Sequence, residues 1–158
     1  LYSFGEGGDN MLLGTFPMTV DAKARVTLPA SFRKQMDKKI VLVPYGDCVN
    51  GFTPEGFNSW IESLFERDGQ GFNPRNQADK RLRVGITANS VEVDIDSAGR
   101  VALGKIDNAR PGRRQKLGLE GDVVVIGAYD HFEVWNAEKW NKAQEAFDDD
   151  FESLLYEK

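Results

Sequence analysis

Histidine and cysteine are almost missing from this 158-residue chain, which has one of each, His131 and Cys48. A single cysteine forms no intrachain disulfide, and one His with one Cys cannot assemble a His/Cys zinc site. Cys48 falls in the apolar stretch 40–52 and reads as a buried packing residue, free cysteine being among the most buried side chains. His131, between Asp130 and Phe132 ahead of an expected strand, reads as a loop or strand-edge residue without chemistry. No nucleophile elbow accompanies it, and there is no phosphate-cradling glycine loop. The expectation is therefore no enzyme, no catalytic residue, no metal and no cofactor. Long apolar runs are also missing: none approaches the ~18 to 20 residues that span a bilayer, so no membrane partner is expected. Residues 1–10 lack the basic and apolar regions of a signal peptide and hold no initiator Met. They are expected to be an extension or an artificial appendage, and the chain is expected to be cytoplasmic.

What is present is an ordinary globular composition, 41 % hydrophobic and 28 % charged, with a formal net charge of −5. That balance argues superficially against a nucleic-acid ligand, but the charge is unevenly placed. From Asp21 to Lys39 six basic residues face two acidic ones, and from Asn141 to Lys158 six acidic residues, including Asp148-Asp149-Asp150, face two basic ones. The acidity is mostly terminal, so a basic patch survives near the front.

The most informative feature is an internal repeat. Asp21-Ala-Lys-Ala-Arg25-Val-Thr-Leu recurs as Asp96-Ser-Ala-Gly-Arg100-Val-Ala-Leu, with Asp, Arg, Val and Leu all conserved at an offset of 75. The downstream order recurs too: Ile40-Val-Leu-Val, a turn and an apolar segment lead to Trp60, and Val123-Val-Val-Ile, a turn and Phe132-Glu-Val-Trp lead to Trp140.

Each copy has a readable local structure. Short strands are expected near 16–20 and 25–28, where Val26-Thr-Leu28 alternates as a half-buried strand does. Pro29 stops the strand and can open a short basic helix over 30–36. A strand pair follows at 40–44 and 49–52, turning at Gly46-Asp47. Thr53-Pro54-Glu55 is an N-cap, a proline at the first helical position and an acid in the first turn. The helix it opens places Phe57, Trp60, Ile61, Leu64 and Phe65 on one face. In the second copy a basic amphipathic helix is expected over 77–87, with strands near 90–95, 100–103, 122–126 and 132–135. Asn136 caps a closing helix whose stripe of Trp140, Ala143, Phe147, Phe151 and Leu154 reads as core or oligomer interface. The resulting units are 11–67 and 77–140, joined by a turn-rich linker 68–76 and followed by an acidic helix or tail 141–158.

An Asp and an Arg four residues apart across a tight loop stand together at its base. The carboxylate accepts backbone N–H bonds, and the guanidinium pairs with it while presenting its remaining donors outward. A purely structural clasp remains an alternative for Asp21 and Asp96. For Arg25, with Lys23 in its loop and Arg33 and Lys34 just downstream, a ligand-facing role to phosphate or guanine is favoured.

These residues resemble a known family. The run Gly14-Thr-Phe…Asp21-Ala-Lys-Ala-Arg-Val-Thr-Leu-Pro-Ala-Ser-Phe-Arg33 is similar to the N-terminal half of the MraZ family. Ala78-Asp-Lys-Arg-Leu…Asp96-Ser-Ala-Gly-Arg100 and Asp130-His-Phe-Glu-Val-Trp-Asn-Ala-Glu-Lys-Trp140 are similar to its C-terminal half. The resemblance implies an α+β, β-rich fold of two tandem AbrB-like swapped-hairpin β-barrel units with flanking helices, related by a pseudo-twofold. It also implies a nucleoid-associated transcriptional regulator that forms closed rings and binds direct repeats of double-stranded DNA upstream of the division and cell-wall gene cluster. DNA-binding residues are then expected at Lys23, Arg25, Arg33 and Lys34, with Asp21, Asp96 and Arg100 structuring the loops. The first loop, with the basic helix after it, is expected to be the DNA-facing one.

Two departures stand out. Position 24 is Ala where the family usually has Gly, so a turn that needs positive φ would be strained or differently shaped. Residues 104–116 are longer than the family pattern and rich in cations, either an added phosphate-contacting loop or, as preferred, a disordered insertion. The competing function is a protein-binding or scaffold oligomer of the same fold, antitoxin-like, consistent with the acidic tail.

Overall fold

The computed structural model describes residues 11–157, so the expectation for residues 1–10 lies outside it. The first half runs β1 (Thr15–Thr19), β2 (Arg25–Thr27), α1 (Ala30–Arg33), β3 (Lys39–Tyr45), β4 (Cys48–Phe52) and α2 (Pro54–Ser63). The second runs α3 (Gln77–Asn89), β5 (Val91–Asp94), β6 (Arg100–Ala102), a 3-10 segment Leu103–Asn108, α4 (Arg113–Lys116), β7 (Asp122–Gly127), β8 (Phe132–Asn136) and α5 (Ala137–Tyr156). The chain is a β-rich α/β protein built on antiparallel sheet.

Six strands form one sheet in the order β1-β7-β8-β4-β3-β5, and β2 pairs with β6 in a separate ladder. The hairpins β3–β4 and β7–β8 stay within their own halves, and every other pairing crosses between halves. β1 runs against β7 with Phe16 opposite Val125, β5 runs against β3 with Val93 opposite Ile40, and β4 meets β8 with Val49 opposite Val134. Equivalent strands therefore pair with each other, or with the other half's hairpin. The main core is accordingly shared: Val26, Leu28 and Phe32 pack in one cluster with Val101, Leu103, Val125 and Phe132. A smaller cluster of Val41, Val43 and Phe52 lies under Phe57, Trp60 and Ile86 of α2 and α3.

The local signals act as the sequence suggests. Thr53 Oγ1 accepts the Gly56 N–H at 3.0 Å, and Asn136 Oδ1 accepts the Lys139 N–H at 3.0 Å, each closing a helix start. Gly46 takes φ 65 between β3 and β4. Cys48 is buried. The basic helix is shorter than expected, because after Arg33 the chain tightens into i→i+3 bonds, Gln35 N–H to Phe32 O and Met36 N–H to Arg33 O.

Residues 104–116 correct the preferred reading of a disordered insertion. They form the 3-10 segment and α4, anchored by buried Leu103, Ile106, Leu117 and Leu119. The segment 68–76 is ordered as well. Phe72 packs edge-on to Phe65 at 5.2 Å, and the Arg83 guanidinium sits 3.4 Å above the Phe72 ring. Asp79, 3 % exposed, accepts the Asn73 N–H at 3.0 Å and Arg67 Nη2 at 2.7 Å. Those two donors, the backbone one first, hold its carboxyl below the ordinary aspartate value despite partial desolvation.

His131, half-buried ahead of β8, stacks on Phe52 with centroids 4.8 Å apart. Its Nδ1 lies 2.8 Å from Asp130 Oδ1 and its Nε2 lies 2.9 Å from Glu133 Oε2. Burial opposes its protonation, but the hydrogen bonds to Glu133 and Asp130 outweigh burial and raise its pKa. A raised folded-state pKa adds stability that is complete below the ordinary histidine value and is lost as pH climbs through the raised one. Stability measured by urea denaturation should therefore decline above about pH 6.5, and His131→Gln should flatten that decline. Gly51 faces the Phe132 ring, and a Cβ there would overlap it. Gly51→Ala should destabilise by about 1 to 3 kcal/mol through overpacking, read in the same denaturation experiment.

Candidate nucleic-acid interface

The two Asp-Arg loops close with the same set of bonds. In the first, Asp21 Oδ1 accepts the Lys23 and Arg25 N–H groups, both at 2.9 Å, and Oδ2 accepts Arg25 Nε at 2.8 Å. In the second, Asp96 Oδ1 accepts the Ala98 and Arg100 N–H groups at 2.9 Å, and Oδ2 accepts Arg100 Nε at 2.9 Å. The backbone of each loop is also tied across, Asp21 N–H to Arg25 O and Asp96 N–H to Arg100 O, both at 2.9 Å. Backbone donation from Arg25 and Arg100 is the largest influence on the two carboxyls. With the guanidinium bonds it holds both below the ordinary aspartate value, against partial desolvation. Each carboxylate thus stays ionised. Each Arg commits Nε to it and keeps two Nη groups that have no acceptor among the described residues.

The loops leave opposite ends of one ladder. β2 and β6 are antiparallel, with Arg25 opposite Ala102 and Thr27 opposite Arg100. A strand that starts at the first loop therefore ends at the second, and α1, which follows it, is delivered to the second loop. Leu28 N–H bonds Gly99 O at 2.9 Å, and Arg33 Nη1 reaches Ala98 O at a long 3.5 Å. Beside the first loop stands the matching part of the second half: Leu103 N–H bonds Ala24 O at 2.9 Å. Lys23 and Arg25 thus share the first loop, whereas Arg33 lies against the second loop, beside Arg100. Lys34 is the exposed C-cap of α1. The expected grouping of the basic helix with the first loop rested on adjacency in sequence, and the antiparallel ladder separates them.

Arg33 also lines an open cleft of about 570 Å³ with Met36, Ile95, Asp96 and Gly99. The cations of 104–116 are partly committed elsewhere. Arg113 Nη2 donates to Pro44 O at 3.1 Å, and Arg114 Nη1 donates to Leu119 O at 3.1 Å. Lys105, Arg110 and Lys116 are exposed.

Position 24 keeps the shape that its partner loop has. Ala24 sits at φ 61, matching Gly99 at φ 78, so the first loop adopts the left-handed turn with a side chain present. Gly99 has a second constraint, because a Cβ there would overlap the Arg33 guanidinium and its Cδ.

The family model described as "MraZ protein, putative antitoxin-like" matches residues 11–80 and 86–154. A protein named transcriptional regulator MraZ from Leifsonia xyli is 37 % identical over 131 residues, covering 82 % of this chain and 84 % of its own length. Proteins of the same name from Limosilactobacillus fermentum and Mycobacterium ulcerans are each 32 % identical. The first covers 91 % of this chain and 94 % of its own length, the second 89 % and 92 %.

The two loops should respond oppositely to exchange at this one position. Gly99→Ala should destabilise by about 1 kcal/mol or more through left-handed strain, with the flexible end of Arg33 displaced by the added Cβ. Ala24→Gly should be neutral or stabilising by up to about 1 kcal/mol, since relief of strain outweighs the added freedom of the unfolded chain. Urea titrations of both variants beside the parent chain measure the difference.

Proposed function

The chain belongs to the MraZ family, whose relatives above carry the name of transcriptional regulators, a role without catalysis, and we propose that it is a DNA-binding regulator that recognises double-stranded DNA sequence-specifically. The observation that carries this reading is the doubled Asp-Arg loop: two identically bonded turns, each presenting an ionised clasp and outward guanidinium donors. Arg25 is the base-reading or phosphate-bridging group of the first loop and Lys23 its phosphate contact. Arg33 and Lys34 supply phosphate contacts at the second. Asp21, Asp96 and Arg100 hold the loops in shape. The exchange of β1 and β5 between halves supports reading 11–67 and 77–140 as two AbrB-like swapped-hairpin units. The targets are direct repeats at promoters upstream of the division and cell-wall cluster. A nucleoid-associated homo-oligomer, closed head to tail into a ring, presents equivalent loops in one sense and so suits direct rather than inverted repeats.

A protein-binding or scaffold role, antitoxin-like, is the second reading. It is favoured by the net charge of −5 and the exposed apolar residues of α5. The two separate by binding to duplex DNA taken from upstream of the chain's own gene, titrated against salt. A regulator binds that duplex over a scrambled one and loses affinity steeply as salt rises; a scaffold does neither. Lys23→Ala should weaken binding to all sequences and lower the salt slope by about 1. Arg25→Ala should lose about 1 to 3 kcal/mol per chain and relax specificity. Parent-like affinity for Arg25→Ala with the oligomer intact removes the first loop from the interface.

A further inference from the structure

Helix α5 is 20 residues long, about 30 Å, but among the described residues only its start packs against the rest of the protein. Trp140 packs edge-on to Trp135 at 5.4 Å, and Ala143 is half-buried. From Gln144 to Glu157 every residue is exposed. The apolar stripe continues along that bare segment through Phe147, Phe151 and Leu154, which are 47 %, 45 % and 53 % exposed. A bare helical segment as short as this outer part gains little stability in water on its own, and among the described residues nothing covers its stripe.

Helix α3 offers a face of matching character. It turns Asp79 and Ile86 inward and leaves Leu82 47 % exposed, with Ala78 and Gly85 on the same side. A Cβ at Gly85 would meet nothing within 4 Å, so nothing among the described residues requires this helix-weakening residue. A glycine there lets another backbone approach closely. The charges also complement. On α3 Arg81 flanks that face, Lys80 turns to the opposite side and Arg83 covers Phe72, while the one acid, Asp79, is paired to Arg67. Residues 145–157 carry Glu145, Asp148, Asp149, Asp150, Glu152 and Glu157 and no base. Within one chain α5 packs on β7 and β8 and α3 packs on β3, which β4 separates from β8 in the sheet.

We propose that the outer half of α5 docks along α3 of a second copy of this chain, seating the Phe147, Phe151 and Leu154 stripe on Leu82 and Gly85 with the acidic residues that flank the stripe against Arg81. The inference rests on the homo-oligomer part of the reading above and assigns its surface. Donor and acceptor faces differ, so the contact is heterologous and propagates until it closes.

Light scattering on the full chain and two variants tests it, with circular dichroism confirming folding. Both substituted side chains are exposed, so each variant is expected to fold. The parent chain scatters as several chains, and Leu82→Glu and Phe151→Glu each scatter as one. Mixed in equal amounts, the two variants recover one intact contact, α5 of the first on α3 of the second, and give a two-chain species and nothing larger. A parent mass of one chain overturns both this contact and the oligomer. An oligomeric parent with Leu82→Glu at full mass overturns the contact alone. Dissociation by Phe151→Glu only would mean that α5 pairs with itself, which also overturns it.

Discussion

The structure depends on the antiparallel pairing of like with like. Two of the ladders that join the halves pair a strand with its own equivalent running the other way, β2 with β6 and β4 with β8. Once those ladders exist, whatever follows a strand in one half is delivered to whatever precedes the equivalent strand in the other. The paired bonds Leu28 N–H to Gly99 O and Leu103 N–H to Ala24 O are that rule in two residues. The shared core follows from it: Val26 and Val101 face each other across the ladder and are both fully buried, so neither half completes a core alone.

The Asp-Arg clasp then turns the end of a strand into a charged, outward-facing loop. A buried ion pair would be a doubtful asset, but these pairs are only partly covered, with Arg25 and Arg100 side chains 27 % and 35 % exposed. The carboxylate satisfies two backbone donors that the tight turn would otherwise leave open, and its charge orients a guanidinium without exhausting it. The halves diverge in what stands beside this common turn. The second loop is backed by Arg33, whose guanidinium lies where a Cβ at 99 would stand, whereas the first is backed by Gly104 and carries alanine at 24. One turn therefore serves as a loop carrying its own extra cation, Lys23, and as a loop that borrows one from the other half.

Much of this was legible in the residues. The offset of 75 between the two octapeptides, the Thr53-Pro54 and Asn136 helix starts and the Gly46-Asp47 turn each state a local preference strong enough to survive folding. What was not legible is long-range. Arg33 follows the first loop in sequence and lies by the second in space, and only the direction of the β2–β6 ladder decides that. The segment 104–116 looked like a polar insertion because its core anchors, Leu103, Ile106, Leu117 and Leu119, fall outside the polar run or singly within it. Neither helical nor strand periodicity registers them. Asp79 reads as a surface acid on a basic helix, and its burial depends on Arg67 and the Asn73 N–H from across a turn.

The net negative charge is compatible with a nucleic-acid surface once distance is considered. Between exposed charges, interaction fades over a Debye length of about 8 Å at physiological salt. The acidic run lies on α5, which extends from β7 and β8, and the clasps lie at the ends of the β2–β6 ladder. A phosphate approaching a loop responds chiefly to the guanidinium and ammonium groups within that radius and little to carboxylates beyond it. The acidic residues act where they are close to something, and the bare half of α5 brings them close to whatever covers its apolar stripe. Charge of one sign at the helix and of the other at the loops is then two local complementarities carried by one chain, and the formal total describes neither.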